Sequence, residues 1–271
     1  MDEDDQLAAR TTRMVPSSWV STAVGIGIVV LAAVMAVNTL APKSSASQAG
    51  WDDTALAVAQ VSEAQPPAAA TATATGRRSL QPTRGVDQAW LARTAAATGI
   101  PVRALLAYAA ANLQLRAEKP GCALGWNTIA AIGLAESGHG THAGSSIDAD
   151  GVARPAILGI RLDGSQGTAA IRDTDKGVLD GDPVWDRAVG PMQFIPSTWA
   201  MDGADGNGDG IKDPQNIDDA TLAAARYLCA SSTMSTPAAW RAAVQSYNNS
   251  TPYIDMIATA ANRYAAEASG R

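Results

Sequence analysis

Residues 14–42, a stretch of 29, carry no charge, and no other feature constrains the chain as much. Residues 20–40 within it form a run of 21, of which 15 are Ala, Val, Ile, Leu or Met. As a helix rising ~1.5 Å per residue, that run spans ~30 Å, the hydrocarbon thickness of a bilayer. A buried core helix rarely extends so far without a charged residue. The stronger competitor is a cleaved signal peptide. Its apolar region normally covers ~7–15 residues, however, and no clean Ala-x-Ala site follows Leu40. The length favours one uncleaved span over residues 19–41. Arg10 and Arg13 precede the span and Lys43 follows it, a weak bias toward an inside N-terminus. Residues 1–18 therefore read as a short cytoplasmic tail, with the rest of the chain outside the cytoplasm.

Residues 42–85 differ in kind: 32 of these 44 are Ala, Pro, Ser, Thr, Gly or Gln. Such a composition has too little large apolar surface to offset the entropy of ordering, so a flexible, disordered linker is predicted. It would let an anchored domain reach a substrate away from the membrane. Residues 86–271 hold eleven of the thirteen aromatics and are long enough for one domain with its own core. A large multidomain enzyme, a coiled coil and a polytopic membrane protein are excluded. The net charge of −6 argues against nucleic acid as a partner, because phosphate binding needs a basic surface.

The domain reads as mainly α with a small β element (α+β). Helices are predicted over residues 87–97, from Pro101 to Glu118, and over 126–137 with a stop at Gly138. A short turn follows at 197–201. Residues 219–229 form a helix after an Asp218 N-cap. Thr236-Pro237 opens another, with Trp240, Ala243, Val244 and Tyr247 on one stripe, and residues 252–266 close the chain. Residues 156–162, an Asp163-Gly164 turn and residues 168–172 read as a β-hairpin insertion. Cys122 and Cys229 stand 107 positions apart. An exported domain favours a disulfide between them, the other reading being two buried thiols; neither has the neighbours of a nucleophile or a metal thiolate.

Several chemistries are absent. There is no phosphate-cradling Gly-rich loop before Lys-Ser/Thr and no G-x-S-x-G elbow. His139 and His142 lack the H-E-x-x-H spacing of a zinc protease and read as a polar loop wall. Glu136 stands out, because Ile129 and Ile132, seven and four positions earlier, share its helical face. An apolar face disfavours the carboxylate, and the negative end of the helix dipole near Gly138 pushes the same way. A carboxylic acid that keeps its proton near neutrality suits a general acid at a glycosidic oxygen. On spacing alone, a solvent-facing or Arg-paired glutamate stands beside that reading.

Residues 132–140 (IGLAESGHG), 189–199 (VGPMQFIPSTW) and 244–248 (VQSYN) occur in this order. Together they resemble the bacterial lytic transglycosylases, closest to the membrane-bound lytic transglycosylase B family, and the likeness extends from about Trp90 to Tyr264. The resemblance implies a lysozyme-like domain that binds peptidoglycan glycan strands and cuts the MurNAc–GlcNAc bond. It puts Glu136 in the place of the family's single acid/base, with Ser137 following it. It makes Met192, Gln193 and Phe194 part of a groove-wall segment, and Tyr247 and Asn248 the pair that positions sugar and acid. No cofactor is implied for the chemistry. The enzyme would lie on the wall side of a bacterial cell membrane, held by its single span. A lysozyme-type hydrolase needs a second carboxylate, for which Asp173, Asp175, Asp180, Asp182 and Asp186 are the candidates. A non-catalytic binding domain is the other alternative; protein partners are not legible.

Residues 205–213 (DGNGDGIKD) place oxygen ligands from Asp205, Asn207, Asp209 and Asp213 at relative positions 1, 3, 5 and 9. Gly210 falls at position 6, and position 7 would offer the Ile211 carbonyl. Position 12 is Asn216 rather than a bidentate Glu, so a modest calcium affinity is expected, with Asp218 or Asp219 closing the ligand set. A plain Asp/Gly turn is the other reading. The resemblance favours a structural calcium ion, since some of its members carry a calcium loop here.

Overall fold

Capping side chains and left-handed glycines set where the helices begin and end. The computed structural model describes residues 61–69, 85–230 and 233–270. Among these lie seven α-helices and four short strands. In order they are α1 (Gln88–Thr98), α2 (Val102–Glu118), α3 (Trp126–Ser137), β1 (Ser146–Ile147), β2 (Ala153–Arg154), β3 (Leu158–Arg161), β4 (Arg187–Val189), α4 (Pro196–Asp202), α5 (Ile217–Leu228), α6 (Pro237–Tyr247) and α7 (Thr251–Ala268). The mainly α, α+β character matches the expectation. No helix among the described residues is long and apolar enough to cross a membrane. The tail, the 19–41 span and the linker as far as residue 60 lie outside the described residues.

Asp87 caps α1 by accepting the Trp90 amide at 2.6 Å, and Gly99 ends the helix at φ 70°. Thr236 caps α6, with Pro237 in its first turn. The start of α5 differs from expectation. Asn216 is its cap, accepting from the Asp218 amide at 2.9 Å, while Asp218 pairs with Arg103 of α2. Fully buried Ile217 opens the helix, so the apolar face begins earlier than the run after Asp218 suggested.

Helix α3 is the central element: residues 126–133 are all buried, and it packs chiefly against α7, with α2 and α5 beside it. A Cβ at Gly133 would overlap the Tyr108 hydroxyl, so this glycine lets α2 approach closely. Cys122 and Cys229 form a disulfide with Cα atoms 6.1 Å apart, joining the segment before α3 to the end of α5. That satisfies the pairing favoured above.

Two expectations are corrected. The hairpin partner of β3 is β4, antiparallel with Leu158 opposite Val189 and Arg161 opposite Arg187, not residues 168–172. Asp163 accepts the Ser165 amide, turning the chain outward, and only single bridges join Asp163 to Ala170 and Arg172 to Trp185. Residues 170–172 instead extend the far end of that ladder, with the Ile171 amide on the Leu162 carbonyl at 2.7 Å and the Asp186 amide on the Ile171 carbonyl at 3.1 Å. A second small hairpin, β1 with β2, accompanies it.

The second correction concerns the linker, because residues 61–69 dock on the domain. Trp126 donates its amide to the Ala64 carbonyl at 3.1 Å, and Asn127 Oδ1 accepts the Ala64 amide at 2.7 Å. Asn127 Nδ2 donates to the Ser62 and Ala261 carbonyls, so one side chain joins this strap, α3 and α7. Glu63 accepts from the Gly125 amide at 2.5 Å and the Thr128 hydroxyl at 2.6 Å. The N-cap of α3, Gly125, has no side chain of its own, and the strap supplies the missing acceptor. A composition argument counts apolar area and is blind to such polar docking. Farther on, Ala68 bridges Val86.

Candidate active site

Glu136 sits in the last turn of α3, which Gly138 terminates at φ 58° with its amide on the Leu134 carbonyl. Tyr253, in the first turn of α7, donates its hydroxyl to Glu136 Oε1 at 2.6 Å. The glutamate is half-buried, so it remains reachable although its carboxyl has lost most of its water. Burial pushes the Glu136 carboxyl up to about 7, against the smaller opposing pull of the Tyr253 hydrogen bond. Near neutrality this group can therefore both give and take a proton.

The segment after β4 is a tight turn. Val189 and Phe194 exchange backbone hydrogen bonds of 2.8 and 3.0 Å, closing residues 190–193 into a loop. A Cβ at Gly190, which has φ 79°, would overlap the Pro214 carbonyl, so no other residue fits there. Gln193 takes φ 50°, and both its amide and its Nε2 donate to the Gly190 carbonyl.

This turn is bound to two helix ends. The Ser137 hydroxyl donates to the Pro191 carbonyl at 2.7 Å, and the Tyr247 hydroxyl donates to the Met192 carbonyl at 2.7 Å. The rings of Phe194 and Tyr247 meet edge-on with centroids 6.1 Å apart. Burial, with Glu136 next in effect, raises the Tyr247 hydroxyl well above its ordinary value. Glu136, Ser137, the 190–194 turn and Tyr247 thus form one assembly. Asn248 caps α6, its amide on the Val244 carbonyl, and is buried.

Met192 is placed differently from a groove wall. Its side chain is fully buried in the main core, as is nearly all of Phe194. These two hold the turn from behind and offer it rigidity rather than surface; the turn exposes little more of Gln193. The physical reason is the hairpin itself, which directs the apolar side chains at 192 and 194 inward. Tyr253 was missed by sequence reasoning. A signal existed: it begins an apolar stripe continued by Ile257 and Tyr264, and a buried tyrosine hydroxyl requires a partner.

None of the five insertion aspartates is hydrogen-bonded to Glu136. Asp173 and Asp175 accept amides of residues 175–179, Asp180 accepts the Asp182 and Arg187 amides, Asp182 pairs with Arg161, and Asp186 holds Thr174. The histidines do not form a ligand pair either. Both ring nitrogens of His139 are on tyrosine hydroxyls, while His142 is exposed in a short 3-10 turn.

In the 205–213 loop, Asp205 accepts the amides of Gly208, Asp209 and Gly210, and Asp209 accepts that of Ile211. Asp213 accepts the Gln215 amide. The donor atoms are of the hard-oxygen kind calcium prefers. Yet the acidic trio whose ligand atoms lie within 4.8 Å of one another among the described residues is Asp173, Asp175 and Asp186, outside this loop.

A family model described as "Transglycosylase SLT domain" matches residues 126–253. Residues 126–253 form a transglycosylase SLT domain. That match is consistent with a lytic transglycosylase of the lysozyme-like superfamily, the resemblance that the three motifs carry. No curated protein and no solved structure matches the chain. The match begins at the first residue of α3 and ends at Tyr253, the residue bonded to Glu136. The strap, α1, α2 and most of α7 lie outside the matched SLT segment but pack on it.

Proposed function

We propose that the SLT domain cleaves the MurNAc–GlcNAc β-1,4 bond of peptidoglycan without water, leaving 1,6-anhydro-MurNAc ends, with Glu136 as the single acid/base. One observation carries this reading: Glu136 is a desolvated, still reachable carboxyl on which burial and one tyrosine hydroxyl act, and among the described residues no other carboxylate acts on it electrostatically. A retaining glycosidase needs a nucleophilic carboxylate and an inverting one a base that holds water.

With a single group, the steps balance as follows. Protonated Glu136 gives its proton to the bridging oxygen, and the substrate's own N-acetyl oxygen bonds to the anomeric carbon as the leaving sugar departs. Ionised Glu136 then takes the proton of the 6-hydroxyl, whose oxygen displaces the N-acetyl oxygen and closes the anhydro ring. Glu136 ends protonated, ready for the next cycle. Tyr253 stabilises the ionised stage. Gln193, Tyr247 and Asn248, themselves buried, are proposed to contribute to sugar positioning, as does Ser137, through the turn and helix end that they hold.

Mass analysis of fragments released from purified peptidoglycan by the whole chain tests the proposal. Anhydro ends are expected. Reducing ends would establish a hydrolase instead, and the absence of fragments would leave a binding domain.

Anchoring through residues 19–41, outside the cytoplasm, belongs to the same proposal. Because the strap docks from residue 61, the chain from residue 41 to the domain reaches at most ~70 Å even when fully extended. Calcium in the 205–213 loop is supported by spacing and donor chemistry. Its test is the melting temperature: calcium should raise it and a chelator reverse the gain, and a value unmoved by either overturns the assignment.

A further inference from the structure

His139 has a role that the glycan chemistry does not use. It follows the C-cap glycine of α3, three positions after Glu136, and takes the left-handed backbone at φ 63°. A histidine adopts this conformation at a cost unless its surroundings hold it there. They do. Its amide bonds to the Gly133 carbonyl at 2.9 Å, closing the helix end. Its Nδ1 lies 3.0 Å from the Tyr108 hydroxyl on α2, and its Nε2 lies 2.9 Å from the Tyr264 hydroxyl on α7. All three side chains are buried.

A neutral imidazole has one N–H and one lone pair, so it donates to one tyrosine and accepts from the other. Burial holds this imidazole neutral, lowering it to about 4, with Arg263 adding to the effect. The groups facing it are Tyr108 from α2, and Tyr264 with Arg263 from α7; Arg263 stacks 4.7 Å over the Tyr264 ring. Those facing Glu136 are Tyr253 from α7 and Tyr247 from α6.

Tyr253 and Tyr264 are eleven positions apart, three helical turns, and so share one face of α7. One stripe of α7 therefore grips the end of α3 twice, at Glu136 through Tyr253 and at His139 through Tyr264. Gly133, the turn before, leaves room for Tyr108 on the opposite side.

We propose that His139 is a positioning residue: clamped between Tyr108 and Tyr264, it fixes the end of α3 against α2 and α7 and thereby keeps the Glu136 carboxyl under the Tyr253 hydroxyl. The proposal rests on Glu136 being the acid/base. Tyr108 lies outside the matched SLT segment, so the clamp couples that segment to the rest of the domain.

Two variants test it in the whole chain: His139→Phe, which keeps the ring volume, and the double change Tyr108→Phe with Tyr264→Phe, which leaves His139 and its backbone untouched. In protein shown by circular dichroism to be folded, kcat should fall about 10- to 100-fold with KM changed by less than about threefold. The high-pH limb of kcat should also move down by about one pH unit or more, as the loosened carboxyl regains water. Carbon-13 NMR titration of the Glu136 carboxyl should show the same downward move without any reliance on activity. Folded variants with wild-type kcat and an unmoved Glu136 titration would overturn the proposal, as would losses that merely follow the folded fraction. Failure of the underlying functional reading is distinguishable, since Glu136→Gln would then retain activity.

Discussion

Glu136→Gln should lower glycan cleavage by about 10³-fold or more, because one carboxyl serves both proton transfers and an amide can perform neither. The amide has the shape of the acid and its oxygen can still accept the Tyr253 hydroxyl, so the fold should survive. The wild-type rate should fall above pH about 7, where burial no longer keeps the general acid protonated. Stability supplies a second check, with a definite sign. The folded carboxyl, near 7, holds its proton more tightly than the unfolded reference of 4.5. Its contribution to stability is therefore full below 4.5 and lost as pH rises through about 7. Between those values wild type gives up stability that the Gln variant does not, so the melting temperature of Glu136→Gln relative to wild type should climb with pH. Retention of more than about a tenth of the activity would remove Glu136 from its place.

Removing the strap should produce the largest change in stability. A chain that starts at residue 86 leaves the Gly125 amide and the Thr128 hydroxyl without Glu63, and takes from Asn127 its bonds to residues 62 and 64. A lost helix cap costs ~1 kcal/mol and an orphaned buried polar group ~1–3 kcal/mol, so a loss of about 3 kcal/mol is expected. For a domain of this size that is roughly 6–12 °C in melting temperature relative to a chain starting at residue 61. Glu63→Ala in the longer chain should reproduce part of the drop. Gly125→Ala sharpens the test, because a Cβ there would overlap Glu63 Oε2, Asn127 Oδ1 and the Ala64 amide nitrogen, whereas without the strap only the Asn127 side chain has to give way. It should destabilise the longer chain much more than the shorter one. Equal melting temperatures for the two chains would show that the strap is merely apposed. Glu63 and Glu136 thus stand near opposite ends of one buried helix, the first completing its N-terminus and the second using its C-terminus.

What was legible in the residues was local. Asp87 and Thr236 announce helix starts by bonds to amides three residues on, and Gly99 and Gly138 announce helix ends by a backbone conformation that glycine adopts at little cost. The apolar stripe of Ile129, Ile132 and Glu136 is a consequence of helical period, so the perturbed acid is legible from the spacing of three residues on one helix. The order of three short motifs was enough to indicate the family. Cys122 and Cys229, being two, had one intramolecular partner each.

What the residues did not reveal depends on contacts between distant segments. Tyr253 meets Glu136 across 117 positions, Tyr264 meets His139 across 125, and Glu63 meets Thr128 across 65. Strand β3 passes over its nearest candidate partner to pair with Arg187–Val189, and Met192 turns inward to the core. Hydrophobic period decides which face of each element is buried, but it does not decide which hydroxyl or carboxylate ends opposite another once the faces meet. The acid at the end of α3 was therefore readable from one helix, whereas its donor, its clamp and the cap at the helix's far end were decided by packing α2, α7 and the strap around it.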